Sequence, residues 1–196
     1  MNDSRQYWRM FIAIESPPAI KAALKRAQQS LRRLVGESGV RWTSEEQFHL
    51  TLTFLGNVPA ASVELLSSSL AETCLGFGAL CLRAEGIGFF PSSRRPRVVW
   101  AAVTEKDGRL RELHRMLVEA TATFSNEEPE NDFHAHITLG RVKHLARPDE
   151  ASLATKAMQF AETVFGEWKV DKVQLIRSQL SSSGSVYTTI AEPPLL

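Results

Sequence analysis

A histidine followed two positions on by threonine and then by leucine occurs twice in this chain. The copies are His49-Leu-Thr51-Leu52 and His136-Ile-Thr138-Leu139, 87 positions apart. Composition alone makes two such starts among 5 histidines a coincidence on the order of one in two thousand, so the pair reads as the trace of an internal repeat. Extended backbone sends successive side chains to opposite faces, which puts each imidazole on the same face as its threonine hydroxyl. Leu50 and Leu52, like Ile137 and Leu139, then point the other way, into a core. The plainer alternative is two amphipathic strands whose histidines face water. The repeat instead demands two rigid strands, apolar behind and polar in front.

The rest of the chain supplies what such strands need. Its 196 residues are 43% hydrophobic and 23% charged, ordinary globular composition, and can bury a core as one domain or two packed halves. No apolar run approaches the roughly 18–20 residues that span a bilayer, and the opening MNDSRQYWRM lacks a signal-peptide pattern. Cys74 and Cys81 are too isolated for a disulfide framework or a zinc site, so the cytoplasm is the expected compartment. A net charge of +1 lacks the basic excess of a protein that wraps long nucleic acid. A phosphate-bearing small molecule or one RNA end needs only a few local cations.

Taken in order, Tyr7 to Ile14 reads as a first strand. Ser16-Pro-Pro-Ala opens a helix, serine capping it and proline tolerated in its first turn. Ile20, Leu24, Ala27, Leu31 and Leu34 line one helical face, and Gly36 and Gly39 end it. Val40 to Trp42 is a short extended piece before the first motif. Val58-Pro-Ala begins a second helix running to about Leu75, with Val63, Leu66 and Leu70 inward. Ala79 to Gly88 and Arg97 to Val103 are strands around a proline-marked loop, Phe89 to Pro96. Leu110, Leu113, Leu117 and Ala120 mark a third helix, and Asn126 to Asp132 an acidic loop. A fourth helix runs from about Glu150 to Ala161, with Asp149 near its start to complement the dipole. Trp168 to Leu180 and Val186 to Ile190 form a final strand pair around the turn at 181–185. This order lacks strict strand–helix alternation, which predicts an α+β fold with largely antiparallel pairing and two similar lobes face to face.

Histidine, with an unperturbed pKa of about 6.5, both takes and gives protons near neutrality. Two of them flanking one centre can serve as base and acid in a single displacement. Threonine hydroxyls are neutral donors suited to phosphate oxygens, and phosphoryl chemistry depends on such positioning and on stabilising oxygen charge.

These motifs, His49-Leu-Thr51 within HLTLTFLG and His136-Ile-Thr138 within FHAHITLGR, make the chain resemble the two-histidine phosphoesterases, specifically RNA 2′,3′-cyclic phosphodiesterases of the LigT type. The likeness extends to Arg9-Met-Phe11-Ile-Ala, to PRVVW at Pro96–Trp100, and to Ser178-Gln-Leu180 with Gly184 and Tyr187. It covers essentially the whole chain, 1–196, as one domain. Proline usually precedes the second motif histidine in that family, where this chain has Ala135. The resemblance implies a bilobal fold, two mainly antiparallel sheets lining a central cleft with helices outside and a pseudo-two-fold between lobes. It implies hydrolysis of 2′,3′-cyclic phosphates on RNA 3′ ends or nucleosides to 2′-phosphates, with neither metal nor nucleotide cofactor; a monomer is the expected state. His136 would be the proton acceptor, His49 the proton donor, and Thr51 and Thr138 would hold nonbridging oxygens. Microscopic reversibility also allows 2′-5′ ligation, and a non-catalytic RNA-end or nucleotide-binding module is the reading from a different class.

Further candidates follow. Strict alternation from His136 puts Arg141 on the opposite face, unless Gly140 bends the strand, while the resemblance gives Arg141 to the ligand pocket. Phe11 is either a core side chain or an aromatic face for a base. Arg94, Arg95 and Arg97 are a solvated loop cluster or RNA phosphate contacts. His134 shares the face of His136, but a metal pair there has Asp132 as its only near carboxylate, so no metal is expected. His114, in a helix, and His144, in a loop, read as surface residues.

Overall fold

The computed structural model describes residues 6–35, 39–127, 132–182 and 184–196. Along the chain run β1 (Tyr7–Glu15), α1 (Pro18–Val35), β2 (Val40–Trp42), β3 (His49–Pro59), α2 (Val63–Cys74), β4 (Leu80–Phe90) and β5 (Val98–Thr104). They are followed by α3 (Arg109–Thr121), β6 (His136–Val142), α4 (Arg147–Met158), β7 (Val164–Val170), β8 (Gln174–Ser181) and β9 (Gly184–Ala191). The fold is α+β, and every recorded strand pairing is antiparallel.

The strands lie in the order β7-β4-β5-β6-β3-β1-β8-β9, with β2 on the side of β6. The two motif strands, β3 and β6, are therefore central neighbours with three strands beyond each. One recorded pair, Leu50 with Ile137, joins them. The two sheets implied by the resemblance are thus hydrogen-bonded into one along this narrow seam. That sheet is bent. A flat sheet would hold β7 and β8 about 29 Å apart, six spacings of ~4.8 Å. Yet only residues 171–173 separate the two strands in sequence, a reach of at most ~14 Å. Gln47 Nε2 donates to the Ser185 carbonyl at 2.6 Å, tying the entrance of β3 to the far strand β9.

The core forms behind the motifs, as the alternation predicts. Leu50, Leu52, Ile137 and Leu139 are at most 2% exposed and belong to one cluster with Leu24 and Leu31 of α1, Leu66 of α2 and Leu113 of α3. Each such side chain contributes ~1.5–3 kcal/mol on burial, which anchors both motif strands. β1 is covered on both faces: Met10, Ile12 and Ile14 join the main core, while Phe11 and Ala13 form a small second cluster with Ile176.

Several local expectations change. The Ser16 hydroxyl is buried without a hydrogen-bond partner, so it does not cap α1. Val35, at 8% exposed, takes the inward place expected of Leu34, which is 42% exposed. β3 runs on to Pro59 because β1 pairs with its whole length, and α2 starts only at Val63. Phe89 and Phe90 belong to β4, held by Val99 and Val98 of β5, so the turn is shorter than expected. In α3 the inward residue of the last turn is Thr121 and not Ala120. The fourth helix, Arg147–Met158, lies about one turn earlier in the chain than expected. The stretch Trp168 to Leu180 is not one strand: it ends β7 at one edge and resumes as β8 beside β1. Gly36 and the middle of the acidic loop lie outside the described residues.

Candidate active site

From the Leu50–Ile137 pair the site can be constructed by register alone. One step outward, antiparallel geometry sets His49 opposite Thr138 and Thr51 opposite His136, with all four on the face away from the core. Directly opposed residues have Cβ atoms ~4.5–5.5 Å apart, and diagonal ones ~7–8 Å or somewhat less. The two imidazoles thus sit on one diagonal and the two threonines on the other, with the local two-fold through Leu50 and Ile137. All four line one cleft of about 720 Å³.

Each histidine is oriented by its neighbours. His49 Nε2 lies 3.1 Å from Thr51 Oγ1, and its ring packs against Phe11 at 5.1 Å and edge-on to Tyr187 at 5.6 Å. The Nδ1–H of His136 donates to the His134 carbonyl at 2.7 Å, since a carbonyl can only accept. That leaves Nε2 as the ring nitrogen able to take up a proton. Phe90 meets the His136 ring edge-on at 5.0 Å.

Burial holds the His49 imidazole down to about 4, with smaller help from Lys21 and His136, while a hydrogen bond to the Gln47 backbone works the other way. His49 is therefore neutral at pH 7 in the unliganded protein. Because its folded pKa lies below the unfolded value of about 6.5, the unfolded chain binds more protons between those limits. This contribution to stability is intact above pH 6.5 and is lost as pH falls toward 4. A shift of that size removes about 2 kcal/mol by pH 5. Thermal unfolding should accordingly show wild type losing more stability between pH 7 and pH 5 than His49→Gln, whose side chain does not titrate there. Equal losses in the two proteins would contradict the buried neutral imidazole.

Arg141 lines the same cleft as His136 despite the parity count. The ladder to β5 explains this: Val99 faces Gly140 and Trp100 faces Thr138, leaving Leu139 as the extra residue of a bulge. Leu139 and Gly140 are consecutively buried, and alternation resumes with its sense reversed. The Leu139 carbonyl is held by the Thr43 N–H at 3.0 Å and by Gln28 Nε2 at 2.8 Å. A Cβ on Gly140 would come within 2.9 Å of both Trp42 and Val40 side chains, so the close approach of β2 needs glycine there.

Phe11, though only 3% exposed, lines the cleft beside His49 and touches Phe54 and Tyr187 as well. Of the cleft's aromatic rings the most open are Phe54 and Tyr187, at 45% and 37%. Burial raises the Tyr187 phenol and keeps it a neutral donor, against the opposing pull of Arg141, Arg41 and Arg9. Arg9, Arg41 and Tyr187 also line the cleft, beyond the candidates the sequence offers. Each comes singly from a different strand; Arg9 and Tyr187 fall in stretches that carry the family likeness, and Arg41 in none. His134 Nε2 meets Asp132 Oδ2 at 3.0 Å, and among the described residues no three His, Cys, Asp or Glu gather as a metal-binding group. His114 is half-buried: its Nδ1–H reaches the Leu52 carbonyl at 2.8 Å, behind β3, and its ring stacks on Phe133.

Paired His-x-Thr strands meeting at the centre of an antiparallel sheet, over one basic cleft, are the mark of a two-histidine phosphoesterase. The sequence model of the family described as "LigT like Phosphoesterase" matches residues 14–100 and 103–187, one motif in each stretch. The chain belongs to that family. The RNA 2′,3′-cyclic phosphodiesterase of Archaeoglobus fulgidus is 33% identical over 179 residues, 91% of this chain and 96% of that relative. The protein of the same description from Thermotoga maritima is 33% identical over 187 residues, 94% of each. Among solved structures, the protein TT0787 of Thermus thermophilus superposes with a TM-score of 0.77 at 31% identity, covering 95% of this chain and 97% of that one. E. coli LigT complexed with 3′-AMP shares the fold with a TM-score of 0.75 at 23% identity, covering 97% and 99%.

Proposed function

We propose that this protein hydrolyses 2′,3′-cyclic phosphates at RNA 3′ ends or on nucleotides, leaving a 2′-phosphate. One observation carries the reading: two imidazoles and two hydroxyls cross at one seam, facing a cleft lined by Arg9, Arg41 and Arg141. The names of the Archaeoglobus and Thermotoga relatives agree with it.

In this reading the cyclic phosphate lies over the seam. Thr51 and Thr138 donate to its nonbridging oxygens, and the arginines offset its charge. His136, its Nδ1–H fixed on a carbonyl, takes a proton through Nε2 from the attacking water. As the new P–O bond forms, the bond to the 3′ oxygen breaks, and His49 gives that oxygen its proton. His49 begins neutral in the empty cleft. An anionic phosphodiester brought within a few ångströms favours its charged form, so the donor is armed by the substrate. The same groups run backwards would join a cyclic end to a 5′ hydroxyl, although bulk water favours hydrolysis.

The cleft is assembled from one chain, which supports action as a monomer and as a single domain of two related halves. Free thiols at Cys74 and Cys81 fit a cytoplasmic setting. No helix among the described residues is long and apolar enough to cross a membrane.

The test is incubation with nucleoside 2′,3′-cyclic phosphates in the presence of a chelator, with the product isomer identified by phosphorus NMR. Expected is turnover to the 2′-phosphate. A 3′-phosphate product, or binding without turnover, would sink the proposal, and the second outcome would favour a binding module.

A further inference from the structure

Beside the cleft lies a second hollow of about 900 Å³, whose walls differ in charge from the molecule as a whole. Arg94, Arg95 and Arg97 from the β4–β5 turn face Lys143, just past β6, and Arg147, at the start of α4, with Glu150 as the one carboxylate. Five cations against one anion stand out in a chain whose net charge is +1. All five are exposed, and among the described residues none of them forms a salt bridge. Elsewhere cations do find carboxylates, as Lys21 does with Glu15 and Lys172 with Glu192. Uncompensated like charges around one hollow repel each other unless an anion joins them.

The two hollows share no lining residue but adjoin at one end of β5 and β6. Val98 and Arg141 pair across β5 and β6 and line the cleft. Arg97 and Val142, one residue further on, alternate to the other face and line the groove, so the strand ends are the edge between the two. That step along a strand is ~3.3 Å. The Val142 N–H donates to the Arg97 carbonyl at 2.9 Å, so this rim is fixed backbone. A third hollow adjoins the cleft at Phe90, His134 and His136, but there Glu105 offsets Arg111. Only one of these two exits suits a polyanion.

We propose that the basic groove holds the backbone phosphates of single-stranded RNA on the 5′ side of the end bound in the cleft. This rests on the cleft being a cyclic-phosphate site. A 2′,3′-cyclic phosphate closes the 3′ end, so the strand continues in the 5′ direction alone, and the groove opens just beyond the rim formed by Val98 and Arg141. The assignment makes RNA oligomers the preferred substrates over free cyclic nucleotides.

The triple variant Arg94→Gln, Arg95→Gln and Arg147→Gln tests this, with turnover measured on an eight-nucleotide RNA ending in a cyclic phosphate and on a cyclic mononucleotide. Wild type should favour the oligomer at least tenfold in kcat/KM. The variant should lose most of that preference while its mononucleotide turnover stays within about twofold of wild type. Binding of a fluorescent eight-nucleotide RNA with a plain 3′ hydroxyl is followed in parallel by anisotropy against salt. The slope of log K on log salt should flatten by about two, for three lost phosphate contacts at ~0.7 each. An unchanged slope, an undiminished preference for the oligomer, or equal losses on both substrates would overturn the groove assignment. So would competition by poly-glutamate as effective as that by RNA. If neither protein turns over the mononucleotide, the reading of the cleft has failed, and the anisotropy slopes still decide the groove.

Discussion

Alanine at His49 or at His136 is expected to lower kcat/KM on a nucleoside 2′,3′-cyclic phosphate by about 10²–10⁴-fold each, the range for losing one positioned acid or base. The double variant should fall little further than the poorer single one. Both groups act in the same displacement, so once one proton transfer is missing the second partner has less to accelerate, and losses in such a unit do not multiply. The fold should survive, because the imidazoles face the cleft while the strands are anchored by Leu50, Leu52, Ile137 and Leu139 behind them. Circular dichroism and thermal unfolding at pH 7 check this. Wild-type turnover in either single variant would remove that histidine from the mechanism. Losses that multiplied in full would mean the two act in separate steps, contrary to their shared diagonal.

How much of this site could be seen in the sequence depends on the range of the interactions that set it. Alternation is a local rule, and it placed both histidines, both threonines and their buried backing correctly. It failed at Arg141, because the bulge at Leu139 is decided by distant groups. Gln28 on α1, 111 positions earlier, holds the carbonyl of the extra residue, and Thr43 holds it from the other side. Gly140 was the local trace of that bulge, readable as an option and not as a certainty. Arg9, Arg41 and Tyr187 reach the cleft because the sheet bends, and a bend leaves no periodic mark in any one segment. The break within Trp168 to Leu180 has the same origin. Its apolar pattern suits a strand throughout, yet Asp171-Lys172-Val173 carries the chain from β7, beside β4, to β8, beside β1. Which edge a strand joins is a property of the assembled sheet.

The order of the two histidines in the reaction calls for a substrate that needs one of them less. With the 3′ oxygen of the cyclic phosphate replaced by sulfur, the leaving group becomes a thiolate. A thiol ionises near a pKa of about 8.5, far below an alcohol, so it can depart without receiving a proton. If His49 is the donor, His49→Ala should regain turnover on the sulfur substrate to within about tenfold of wild type, recovering most of a 10²–10⁴-fold loss. His136→Ala should stay as impaired as on the oxygen substrate, since the attacking water still has to lose its proton. The reverse pattern would exchange the roles, and rescue of neither variant would mean that neither histidine protonates the leaving oxygen. A pH profile cannot substitute for this experiment, because a charged donor with a neutral acceptor and the opposite arrangement give the same bell. Burial sharpens the question, since a pKa of about 4 leaves His49 uncharged in the empty cleft at neutral pH. Its service as donor then depends on the phosphate's own negative charge. The pKa of His49 should therefore rise when inorganic phosphate fills the cleft, and nitrogen-15 NMR of the imidazole would record that rise directly.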